Sequence, residues 1–122
     1  MFTAHRNRKW QMVVVANDFQ VPFHDPRCVA LLNLFLEREQ PDWLILNGDF
    51  QGFWEISSFD LAPRGGKRFL GEIETGKKIL LNFRRILPHA SITWIEGNHE
   101  SRLRKYLIRN AKELYGLDYV RL

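Results

Sequence analysis

The sequence predicts an α/β fold: a layered unit in the order β-α-β-α-β-α, with a parallel sheet and helical crossovers. Three observations carry that expectation. Short apolar runs at residues 12–16, 43–46 and 91–96 have the length and β-branched content of strands. Between them lie longer stretches whose apolar residues step by three and four, the period of a core-facing helix. Each apolar run also ends in polar side chains: Asn17-Asp18, Asn47-Gly48-Asp49 and Gly97-Asn98-His99-Glu100. Open α/β sheets place their chemistry beyond the carboxyl ends of their strands, so one site built from all three endings is expected.

The elements follow in order. Residues 1–10 form a basic arm carrying His5, Arg6, Arg8 and Lys9. The apolar run after it is too short for a secretory signal. Residues 12–16 are a continuous Val-rich run, which suits a strand buried on both faces. Pro22 and Pro26 punctuate the loop that follows, and Asp25 is placed to cap a helix over residues 27–40. That helix carries Val29, Leu32, Phe35 and Leu36 on one face, and Pro41 stops it. After the second strand comes an aromatic segment, Phe50, Phe53, Trp54, Ile56 and Phe59, expected as core rather than as the wall of a base- or sugar-binding pocket. Residues 63–68 read as a basic Gly-Gly loop. The next helix, residues 69–87, presents Ile73, Gly76, Leu80, Phe83 and Leu87 before Pro88 ends it. The third strand leads into a helix over residues 100–114 with the stripe Leu103, Leu107, Ala111 and Leu114. Residues 118–122 are expected to begin a fourth strand.

With 122 residues, the chain fits one domain, residues 11–122 beyond the arm. No apolar run approaches the ~20 residues of a membrane span. One cysteine, Cys28, permits no internal disulfide and fits a reducing, cytoplasmic setting. The net charge of +4 comes largely from the arm and from Arg102, Arg104, Lys105 and Arg109. It suits an anionic partner such as a phosphoester or nucleic acid, although a solvated helix face has the same composition.

Together the strand endings offer carboxylates from Asp18 and Asp49, amide oxygens from Gln20 and Asn98, and imidazoles from His24 and His99. Mixed oxygen and nitrogen donors suit manganese, iron, zinc or magnesium. A pair of such ions activates water and clamps phosphoryl oxygens. Singly, each signal has a plain alternative: Asn-Gly-Asp is a common turn, and Gly-Asn-His-Glu can be a turn before a capped helix. The first strand is followed by neither Gly-x-Gly-x-x-Gly nor a phosphate-binding Gly-Lys-Ser/Thr loop, which disfavours a nucleotide-binding domain.

The segments Asp18-Phe19-Gln20, Gly48-Asp49-Phe50-Gln51-Gly52 and Gly97-Asn98-His99-Glu100 resemble the motifs of the calcineurin-like metallophosphoesterases. Residues 21–26 and 58–60 look like the phage and bacterial branch of that family. The resemblance implies the first half of an αββα-type sandwich and a phosphomono- or phosphodiesterase using two divalent ions. It implies that Asp18 holds one metal, Asp49 bridges both and Asn98 holds the second. His99 would protonate or orient the leaving oxygen, with Glu100 supporting it. Gln20 stands where the pattern has a histidine, and His24 is the auxiliary candidate. Gly52 replaces a carboxylate. No histidine follows His99, so the pattern's later histidines are missing. The expectation is an N-terminal half, truncated at its C-terminus or completed by a partner chain. The alternative is a non-catalytic phosphate- or nucleic-acid-binding module.

Overall fold

Three Val-, Leu- and Ile-rich segments form a parallel sheet in the order β1-β2-β3: Val13–Ala16 (β1), Trp43–Asn47 (β2) and Ser91–Ile95 (β3). This computed structural model describes residues 10–58 and 66–117. Pairing aligns Val14 with Leu44 and Ile92, and Ala16 with Leu46 and Trp94. These six side chains share one face and meet the helices Pro26–Glu39 (α1) and Gly66–Ile86 (α2). Leu36, Leu44, Leu46, Phe50, Phe83 and Leu87 are the buried centre, each worth about 1.5–3 kcal/mol by removal from water. The α/β class and the parallel sheet read from the sequence are therefore present.

The opposite face corrects one expectation. Residues 12–16 were expected to be buried on both sides, yet Val13 is 44% and Val15 57% exposed, with Trp43 and Ile95 beside them. Strand order supplies the reason. Two right-handed crossovers stepping the same way, β1 to β2 to β3, put both helices on one face.

Helix α1 is built as its sequence predicts. The Asp25 carboxylate accepts from the Arg27 backbone N–H at 2.8 Å, and Pro26 occupies the first turn. Gln40, left-handed at φ 45°, closes the helix before Pro41. Phe35, expected on the buried face, is 39% exposed. The buried line runs through Leu32 and Leu36, leaving Phe35 at the rim under the Arg38 guanidinium.

Helix α2 starts at Gly66, three residues before the expected boundary, so the end of the expected basic loop is helical. Ile73 lies outside the buried stripe, and Glu72, Gly76 and Phe83 lie within it. A Cβ at position 76 would run into the Gln51 side-chain amide, so glycine lets α2 lie against that loop with Gln51 in place. The third helix, Ser101–Asn110 (α3), is shorter than expected. Asn110 bonds back to the Tyr106 carbonyl, Ala111 turns to φ −153°, and Lys112–Leu114 forms a separate 3-10 turn. A polar side chain competing for a helix carbonyl accounts for that break.

Among the described residues, no helix is long and apolar enough to cross a membrane. The basic arm up to residue 9, Phe59, residues 60–65 and the expected fourth strand at 118–122 lie outside the described residues.

Candidate functional site

Beyond their last paired residues, β1 and β2 stay together through irregular backbone bonds. The Asp18 N–H donates to Gly48 O at 3.3 Å, Gln20 N–H to Asp49 O at 2.8 Å, and Val21 N–H to Phe50 O at 2.8 Å. Asp18, Gln20, Asp49 and Phe53 all have positive φ, between 46° and 57°. Among the described non-glycine residues, Gln40 at the end of α1 is the one other case. Such backbone is tolerated by Asp and uncommon for Gln or Phe. Its concentration at strand ends is the pattern of a functional site.

Glu100 joins the third ending to the second. It is 1% exposed, and its carboxylate accepts from three backbone N–H groups. Oε2 receives Asp49 N–H and Gly97 N–H, both at 2.9 Å, and Oε1 receives Gln51 N–H at 2.8 Å. The turn at Gly97 passes very close: a Cβ there would lie 2.3 Å from Asp49 Oδ1 and 2.4 Å from Asp49 N. The resemblance implied Glu100 as a support of His99; its carboxylate is bonded to the backbone of the loops that carry Asp49 and Asn98.

Asp49 is where the site residues meet. Its Oδ1 accepts the His99 backbone N–H at 2.9 Å. One end of the Asn98 amide lies 2.8 and 3.2 Å from the two Asp49 carboxylate oxygens. As Nδ2 it donates to both, which is the assignment the hydrogen bonding favours. The His99 ring lies against the β2 loop, with Nδ1 3.1 Å from Gly52 O. Asp18 and Gln20 reach this group through the backbone pairing above. His24 stands further off, in a cavity of about 380 Å³ that it shares with Asp18, Phe19, Asp25 and Cys28. Its Nδ1 is buried without a hydrogen-bond partner.

Two participants were not recognisable in the sequence. Arg102 read as one residue of a basic face, yet its guanidinium donates to Gly52 O at 2.8 Å. Its place three residues after His99, in the first turn of the helix that follows, was the available signal. Glu72 is 3% exposed, and its carboxylate accepts from Phe53 N–H. Burial pushes its pKa above the ordinary 4.5, while the Phe53 and Trp54 N–H groups and the Arg102 charge pull it down. A raised folded-state value means that the folded chain binds the proton more readily than the unfolded chain. Stability from this group is therefore fully present below the ordinary Glu range and declines as pH rises through the raised value. In urea unfolding across that window, Glu72→Gln is expected to remove this decline. An unchanged pH slope in the variant would refute the assignment.

Phe50 and Phe53 are buried, as expected for core. Phe50 packs against Phe19 and Trp94, each at 5.2 Å between ring centres. Trp54 faces a second cavity, of about 440 Å³, with Pro22, Glu55, Arg68 and Glu72.

A family model described as calcineurin-like phosphoesterase matches residues 12–121. The chain belongs to the calcineurin-like phosphoesterase family. No curated protein and no solved structure was found to match it.

Membership in the calcineurin-like phosphoesterases points to hydrolysis of phosphoesters with divalent metal ions. The chemistry of the donor set fits such ions. The Asn98 amide lies against the Asp49 carboxylate, and carboxylate and amide oxygens with nearby imidazoles suit manganese, iron, zinc or magnesium. The partnerless Nδ1 of His24, in a cavity shared with Asp18, is a nitrogen donor of the same kind. Among the described residues, no three His, Cys, Asp or Glu side chains cluster as a metal shell. The set is rich in amides: Gln20 stands where the family pattern has a histidine, and Asn98 is the pattern's own asparagine.

Proposed function

We propose that this chain hydrolyses a phosphate mono- or diester, with Asp18, Gln20, Asp49 and Asn98 holding two divalent ions. Asp18 and Gln20 serve the first, Asp49 both, and Asn98 the second, with His24 as an auxiliary donor to the first. A bound pair supplies a water acidic enough to attack phosphorus at neutral pH and a clamp for the phosphoryl oxygens. His99 protonates or orients the leaving oxygen, with its backbone N–H bonded to Asp49 and its ring seated against Gly52 O. Glu100 keeps the two loops in register. Further ligands from a partner chain complete the shell, and the +4 charge favours a nucleic-acid ester as substrate. An exposed, unpaired Cys28 supports a cytoplasmic setting.

The observation that carries this reading is the convergence on Asp49 of the Asn98 amide and the His99 N–H. Hydrolysis of nitrophenyl phosphate mono- and diesters, followed with added manganese and then with a chelator, tests it. Turnover is expected only with the metal and should return when metal is resupplied. Equal rates with and without metal would refute it. Exposed Lys105 and Arg109 on α3 favour a second reading, a binding module for an anionic polymer. Such a module would hold its partner with metal or chelator alike, and the same titration separates the two.

A further inference from the structure

We propose that Arg102 is a positioning residue that fixes the tautomer and orientation of His99 through a shared bond to the Gly52 carbonyl. The inference rests on the phosphoesterase reading for its consequence, though not for its geometry. Gly52 O accepts from two side chains, one in the turn before α3 and one in its first turn: His99 Nδ1 at 3.1 Å and Arg102 Nη1 at 2.8 Å. The second guanidinium arm, Nη2, lies 3.4 Å from His99 Nε2. A carbonyl can only accept and a guanidinium can only donate. The polarity of both contacts therefore selects the same form, with the proton on Nδ1 and the lone pair on Nε2. The tautomer of a histidine is set by the partner of its other nitrogen, and here both nitrogens are fixed.

The support behind Gly52 is also built in. The Gly52 N–H donates to Val21 O at 2.8 Å, and the next residue, Phe53, gives its N–H to the buried Glu72 carboxylate. A Cβ on residue 52 would meet Val21 O at 3.0 Å and Glu72 Oε1 at 3.7 Å, so the turn has little room to shift. The acceptor for His99 is thus a held carbonyl, with no carboxylate side chain needed at position 52. Arginine suits the task because its planar fork reaches Gly52 O and Nε2 at once. A lysine ammonium on a flexible stem could serve one of them at a time.

Long-range ¹⁵N–¹H correlation spectra of the neutral His99 ring test this in the wild-type chain, Arg102→Lys and Arg102→Ala. The expected result is the Nδ1–H form in the wild type and a mixture of tautomers in both variants. An Nε2–H ring in the wild type would overturn the proposal, as would an unchanged Nδ1–H ring in Arg102→Ala. Metal-dependent turnover gives a second readout. The variants are expected to lose about 10–100-fold in kcat, as orienting partners commonly cost, with KM nearly unchanged. A raised KM with intact kcat would overturn the positioning role in favour of substrate binding. If no variant and no wild-type chain turned over, the phosphoesterase reading would fail, and the spectra would still decide the role of Arg102.

Discussion

Glu100→Ala is expected to be among the most destabilising single substitutions in this chain. The carboxylate is buried and is the acceptor for three backbone N–H groups, those of Asp49, Gln51 and Gly97. Leaving a buried donor without a partner costs about 1–3 kcal/mol, so three together approach 3 kcal/mol or more. That is a large share of a domain stability of roughly 5–15 kcal/mol. With a urea slope of about 1–3 kcal/mol per molar, the midpoint should fall by on the order of 1–3 M. Glu100→Gln should fall between, because its amide keeps one acceptor oxygen and turns an N–H₂ toward at least one donor. A midpoint for Glu100→Ala within error of the wild type would show that the clamp is dispensable.

Asp49→Asn should leave the fold nearly intact and abolish metal binding. The amide can still accept the His99 N–H through Oδ1, as the carboxylate does at 2.9 Å. What disappears is the negative charge on which Asn98 converges. Outer partners of a metal site already cost about 10–100-fold in affinity when removed, and loss of the carboxylate proposed to bridge both ions should cost more. Manganese titration by calorimetry on Asp49→Asn and wild type reads this directly. The expected result is a wild-type isotherm, none in the variant, and a thermal midpoint shifted by only a few degrees without metal. Equal affinity in both chains would remove Asp49 from the proposed metal site.

These two predictions differ in how much of each residue was legible beforehand. Asp49 was singled out because its Gly turn is one of three polar strand endings, and its bridging role came from the family resemblance. Glu100 was also singled out, but the contact that explains it was not. Its partners Asp49 and Gln51 are about fifty positions away in the chain, and nothing in a local pattern names a backbone N–H as a partner. Glu72 illustrates the same limit. It falls one position before Ile73 in the apolar period, so a hydrophobic pattern assigns the buried place to the isoleucine. The structure gives that place to the carboxylate, because the Phe53 N–H at the site needs an acceptor.

The sequence by itself determined the three strands, the Asp25 cap and Pro41 stop of α1, the parallel order and the polar strand endings. Each of these follows from short-range rules: side-chain periodicity, Asp and Pro at a helix start, and glycine at tight turns. Tertiary structure alone decided which face of the sheet the helices cover, where α3 stops and how the endings are tied together. Those outcomes depend on crossover handedness and on buried donors finding acceptors across the fold. The Glu100 clamp and the Arg102–Gly52–His99 contact exist only once β2 and β3 lie side by side, and the Glu72 support only once α2 packs on the loop after β2.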